Sequence, residues 1–387
     1  MSDNVSQMHT PQGKKLVRRI LLFSLILLLV LGGCALYFFR DSINTDAMRR
    51  YFKYLNVTET SHTGHFSFDA HSGNRYAGLG DGLALASVSG VTVLDANGAE
   101  QASLQMQMSL PALRVGKDAA LCFDAGGTSL CTVSRRKGTI LQVTSERAIL
   151  DADISPDDCV CYSTSESGYR SVLYVYNAAG TKTYRWLSSS RYLPVCTVST
   201  GAKYLAAAAL GQQEGMFQSS VVLFDTTQDE PLRELPLGDE LILDLEFLSD
   251  DTLLAIGETT ASWLKLDGTV LGRYSYADAY LKDFDDGGSG FLTLCLNMYK
   301  AGSRYSVVTL GADGTERGSL FIGEEILDFS AAGKYVAVLT ASDLRIYDET
   351  LTLYASTDNV AAATDVIQRA DGSAILISGG SGSLFIP

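Results

Sequence analysis

The feature that most constrains this chain is a short motif that returns at near-equal intervals. An apolar, strand-like run ends, a turn residue follows, and a glycine often closes the turn. The copies read VTVLDANG (91–98), LCTVSRRKG (130–138), LYVYNAAG (173–180) and VVLFD (221–225). They continue as WLKLDG (263–268), VVTLGADG (307–314), LRIYDE (344–349) and SLFIP (383–387). The last apolar residue of each falls at Leu94, Val133, Tyr176, Phe224, Leu266, Leu310, Tyr347 and Ile386, with gaps of 37 to 48 residues. A period of ~40–45 residues with four strands per unit is the signature of a β-propeller blade. Eight copies predict eight blades, with seven as the alternative count.

Each unit carries the other strands of a blade. GKYVAVLTA (333–341), DTLLAIGE (251–258), GFLTLCLN (290–297), DCVCYST (158–164) and GSAILISG (372–379) have the composition of buried strands bounded by turn residues. Inner-strand candidates precede them: ILDFS (326–330), LDLEF (243–247), ILDADIS (149–155) and ATDVIQ (363–368). No helical periodicity competes after residue 60, so the fold class is all-β. The eighth copy stops where an outermost strand should still follow. The alternating segment HFSFDAH (65–71) is therefore expected to supply it and close the ring.

Charge divides the chain unevenly. Residues 1–55 carry a net +5 and residues 56–387 about −19. A body that acidic repels phosphate backbones, which excludes nucleic acid as a partner. Residues 20–39 form an uncharged apolar run whose helix would be ~30 Å long, the thickness of a bilayer core. Leu31-Gly32-Gly33-Cys34 within it looks like a lipidation signal, but the apolar run continues to Phe39 where a lipoprotein would turn polar. The run also exceeds the ~7–15 residues of a cleavable signal core. A retained single-pass anchor is the better reading. Lys14, Lys15, Arg18 and Arg19 abut the span, which places the N-terminus in the cytoplasm and the body outside. The expected map is a basic tail (1–19), a transmembrane helix (20–39), an amphipathic stalk (40–62) and an extracytoplasmic propeller (63–387).

Candidate chemistry is sparse. Four histidines leave little for a His-based site, and His62, His65 and His71 lack cysteine partners nearby, so no metal or cofactor is expected. The clusters Asp157-Asp158, Asp250-Asp251 and Asp283/Asp285/Asp286 all fall between the first and second strands of a unit, where Asp favours tight turns. Asp153, Asp244, Asp283, Asp328 and Asp365 recur on or beside innermost strands, and would suit acid–base work if they converged on the central channel. No nucleophile-elbow or dinucleotide-binding motif accompanies them. In LCFDAGGTSLC (121–131), a two-residue Gly126-Gly127 turn would set Cys122 opposite Cys131 on a non-hydrogen-bonded pair, within disulfide range. Two reduced core cysteines fit the same spacing. The best surface candidates for binding are Tyr274, Tyr276 and Tyr280, with Arg191 and Tyr192 in a second segment.

The basic tail KKLVRR (14–19), the span at 20–39 and blades ending in three apolar residues, Asp or Asn, and Gly resemble the uncharacterised membrane-anchored propeller proteins of Firmicutes with WD40/YVTN-like repeats. That resemblance implies a cell-envelope location and brings no catalytic residues with it. The lipidated propeller scaffolds of outer-membrane assembly are a weaker likeness. The expected function is binding or scaffolding at the envelope, toward another protein or a glycan. An envelope hydrolase or lyase using channel carboxylates is the alternative.

Overall fold

The computed structural model describes residues 22–24, 50, 66–69, 73–213, 215–300, 302–360 and 362–387. The expected membrane span and stalk lie outside the described residues, apart from helical positions 22–24 and 50. No helix among the described residues is long and apolar enough to cross a membrane. The two compact units are residues 1–57 and 58–387.

The second unit is an eight-bladed β-propeller. Its described residues form eight four-stranded antiparallel sheets, seven of them simple meanders. Blades 1 to 7 span residues 75–105, 111–144, 151–188, 192–238, 242–275, 280–322 and 326–357. Blade 8 takes three strands from residues 365–385, and Phe66–Ser67 is its outermost strand, paired Phe66 to Gly382 and Ser67 to Ser381. Blade 8 meets blade 1 where Arg369 Nη2 donates to Asp81 O at 2.7 Å.

The second strands are largely buried, as in Ala119–Asp124, Phe291–Asn297 and Tyr335–Thr340, and most third strands are buried over their central residues. Their two faces pack against the neighbouring blades, which is why they read as continuous apolar runs rather than an alternation. The core is consequently a series of inter-blade layers. Cys122, Cys131 and Met108 share one such layer with residues of blade 1, and Trp263 and Leu254 share another with Leu294 and Leu310 of blade 6.

The repeat seen in the sequence is the third strand and the turn that leaves it. In blades 1, 2, 3, 6 and 7 the pairing between third and outermost strands shifts register at Leu94, Val133, Tyr176, Leu310 and Tyr347, the counted positions. A hairpin with one extra residue at this point forms a type I turn with a bulge, closed by a residue at positive φ. Gly98, Gly180, Gly268 and Gly314 take that role. Blade 5 departs slightly: its register shift lies at Leu264, and Leu266 stands inside the turn, because Lys265 rather than the Asp opens it.

Antiparallel meanders divide the ring into two faces. One carries the turns between first and second and between third and fourth strands. The other carries the loops between second and third strands and the connectors between blades.

Candidate functional site

The innermost strands line the central channel and concentrate acid there. Asp151 and Asp153 come from blade 3 (Asp151–Ile154), Asp244 and Glu246 from blade 5 (Ile242–Ser249), Asp283 and Asp285 from blade 6 (Tyr280–Asp285). Asp328 comes from blade 7 (Ile326–Ala332) and Asp365 from blade 8 (Asp365–Gln368).

One arginine reaches across this ring. Arg114, on the innermost strand of blade 2 (Pro111–Val115), donates from Nη2 to both Asp244 oxygens at 3.1 and 3.0 Å, and its Nε lies 3.9 Å from Asp153 Oδ1. Its side chain is 33% exposed, whereas Asp153 and Asp244 are largely covered. Asp244, and more weakly Asp153 and Asp151, hold the guanidinium firmly protonated. The sequence reading missed Arg114. An inward charge in PALRV was its only signal, and its partner Asp244 lies 130 residues away.

Of the five acids singled out from sequence, only Asp153 and Asp244 are brought together, on Arg114. Asp283 accepts from the Phe284 amide beside it, and Asp365 from the Thr364 hydroxyl. Asp328 Oδ2 accepts from the Val366 amide at 2.7 Å, in the next blade. This last geometry recurs. Asp151 accepts from Cys196 N at 2.9 Å, Asp153 from Thr197 Oγ1 at 2.8 Å, and Asp285 from Ala331 N at 2.8 Å. In each case an inner-strand acid of one blade binds the inner strand of the following blade. Asp151, Asp153, Asp285 and Asp328 are inter-blade clamps of this kind, whereas Asp244, Asp283 and Asp365 are not. Among the described residues, no group of three or more His, Cys, Asp or Glu is arranged to hold a metal ion.

Enclosure by the channel walls shapes these carboxyls. Burial pushes Asp151 up to about 6, against the pull of Arg114. It raises Asp285 to about 7, reinforced by Asp286, and Asp328 to about 7. Glu246 is pushed well above the usual carboxylate range by burial, with Asp153, Asp286 and Asp244 adding to it.

The binding candidates separate by exposure. Tyr276 is buried and donates its hydroxyl to Gly257 O at 2.6 Å, which makes it an anchor of the connector between blades 5 and 6. Tyr274 bonds Glu316 Oε2 at 3.1 Å, and Arg191 pairs with Glu234 at 2.8 Å. Tyr192 and Tyr280 are exposed, each opening an innermost strand on the loop-bearing face. Cys122 and Cys131 stand directly opposite each other, buried, as free thiols.

The loop-bearing face carries further exposed apolar side chains. Met216 and Phe217 form the tip of the long blade 4 hairpin, Met298 and Tyr299 sit in the blade 6 loop, and Leu110 and Leu241 lie in connectors. The turn-bearing face has fewer among the described residues: Leu232, Leu248, Val270, Leu271, Leu353 and Ile386.

The model of a family of unknown function, DUF5711, matches residues 50–371. The chain belongs to this family. The DUF5711 match takes in the described strands through the innermost strand of blade 8. No curated protein matches the chain. Solved structures share its fold at low identity. The C-terminal WD40 domain of Sif2 superposes with a TM-score of 0.59 at 14% identity, over 84% of this chain and 98% of that one. The Dos1 propeller gives 0.55 at 12%, over 83% and 93%. BamB from Moraxella catarrhalis gives 0.52 at 15%, over 80% and 95%. Identity this low carries the propeller architecture and no activity.

Proposed function

We propose that this chain is a membrane-tethered, extracytoplasmic binding or scaffolding module of the cell envelope, in the manner of the anchored propeller proteins of Firmicutes that its motifs resemble. One observation carries the binding role: exposed apolar and aromatic side chains gather on the loop-bearing face of the ring. Met216 is 63% exposed and Tyr299 53%. Apolar surface concentrated in this way marks a site that another macromolecule covers. Tyr192, Tyr280, Met216, Phe217 and Tyr299 are the proposed contacts, with an envelope protein or glycan as partner.

The tether rests on the apolar run at 20–39 and the cationic residues abutting it, with the N-terminus in the cytoplasm. Protease treatment of intact cells tests the placement. The propeller should be cut before lysis, and protection until lysis would overturn the outward orientation. Met216→Ser with Phe217→Ser tests the face. The double variant should fold normally and run as a smaller species in detergent extracts; an unchanged complex would remove this face from the reading.

A further inference from the structure

The layer between blades 3 and 4 holds three buried cysteines, Cys159, Cys161 and Cys196. Cys161 lies on the second strand of blade 3 (Val160–Glu166) and Cys196 on the innermost strand of blade 4 (Tyr192–Val198). Their Sγ atoms stand 3.6 Å apart as free thiols, and both side chains are almost fully enclosed. We propose that this pair is a covalent modification site, and that in the extracytoplasmic protein a disulfide between Cys161 and Cys196 joins blade 3 to blade 4. The bond rests on the outward placement proposed for this chain, because disulfides persist in oxidising compartments.

Three anchors hold the two sulfurs together. The Leu193 amide donates to Ser171 Oγ at 2.8 Å, the Cys196 amide to Asp151 Oδ2 at 2.9 Å and the Thr197 hydroxyl to Asp153 Oδ2 at 2.8 Å. Asp153 is itself the cross-strand partner of Cys161. The inner strand of blade 4 is therefore pinned on both sides of Cys196, directly beside Cys161. A disulfide needs the sulfurs to close to about 2.05 Å. Since the strands are clamped, rotation of the two side chains must supply that closure. Cys122 and Cys131 differ, because they belong to one hairpin whose strands are already paired. Cys161 and Cys196 are 35 residues apart and cross a blade boundary, so their bond removes more freedom from the unfolded chain.

The oxidant is an external disulfide. The Cys161 thiolate attacks it and releases one thiol, and the Cys196 thiolate then resolves the mixed disulfide and releases the second. Two protein thiols are oxidised, the external disulfide is reduced to two thiols, and two protons pass from the former to the latter. Burial raises the Cys161 thiol, and contact with that thiol together with burial raises Cys196. Neither is a ready nucleophile once the blades have packed, so the exchange belongs to folding, before blade 4 docks.

The test takes the full chain from intact cells, alkylates free thiols in denaturant and maps the tryptic peptides. Peptides 148–170 and 192–203 should run as one linked species that separates on reduction, with fragment ions placing the bond on Cys161 and not on Cys159. Recovery of both as alkylated single peptides, or a bond through Cys159, would overturn the proposal. A second arm shows which premise failed: the reduced chain in detergent is opened in moderate urea, given glutathione disulfide and returned to buffer. Linkage there but not in cells would fault the outward placement, and linkage in neither would fault the geometry. Reductant should lower the melting temperature of the cell-derived chain by roughly 5 °C and leave that of Cys196→Ala unchanged. An equal drop in both would count against the bond.

Discussion

Single residues set the blade geometry. Asp95, Asn177 and Asp348 each accept two backbone amides from within their own turns, so one side chain completes a turn that the ladder cannot. Positive φ at the closing residue is the second requirement. Gly138 has φ of 73° with open space around it, and Gly314 has φ of 76° with Trp263 ring atoms 3.1 Å from where a Cβ would sit. Gly138→Ala should therefore cost about 1 kcal/mol from backbone conformation alone, and Gly314→Ala distinctly more. Chemical denaturation of both variants checks the order. The raised channel acids yield a pH prediction. Asp285 and Asp328 ionise near 7 when folded, and near ~4 in an unfolded chain. Between those values the folded state holds more protons, so stability is full below that window and falls as pH rises through it. Asp328→Asn keeps an acceptor for the Val366 amide but has no proton to lose. Its melting temperature should depend less on pH across the window; a slope equal to that of the unsubstituted protein would contradict the assignment.

At the scale of elements, blade 8 is the informative one. Its sheet is assembled from both ends of the described propeller, and a two-residue strand completes it. Phe66 is fully buried against Leu83, Leu94, Ile367, Ile375 and Ile377, joining blade 8 to blade 1. Phe66→Ala should cost ~3–5 kcal/mol, as for other large-to-small core changes. Hydrogen exchange should show the added opening concentrated in blades 8 and 1; loss spread evenly over all blades would argue against a local closure. Much of this architecture was legible in the sequence because a blade repeats local rules. Apolar runs, bulged hairpins and Asx turns all act within about ten residues. Arg114 with Asp244 was not legible, since the ring sets them together from blades 2 and 5. Asp153 and Asp328 were visible as members of a repeating Asp, yet their role depends on the inner strand one blade further on. Asp328 illustrates the point: only the register of blade 8 shows that Val366 N faces it.

At the scale of the whole propeller, the ring has two unlike faces. The turn-bearing face is tied from blade to blade, by Asp157 to the Gly201 amide, by Ser289 N to Gly333 O and by Arg369 to Asp81 O. The loop-bearing face holds the long blade 4 hairpin and most of the exposed apolar side chains. Its binding candidates were half legible: Tyr192 and Tyr280 stood out as aromatics in linkers, but so did Tyr276, whose hydroxyl the fold turns inward. Met216 and Phe217 carried no such signal, because an apolar pair at a hairpin tip reads like any strand end. The central claim is that this face is where a partner docks. Photo-crosslinking side chains placed at Tyr192, Met216 and Tyr299, and at Asp267, Asp313 and Thr350 on the opposite face, test it directly in living cells. Discrete crosslinked adducts from the first three positions and none from the second three are the predicted result. Adducts from the turn-bearing positions alone, or from neither set, would contradict it.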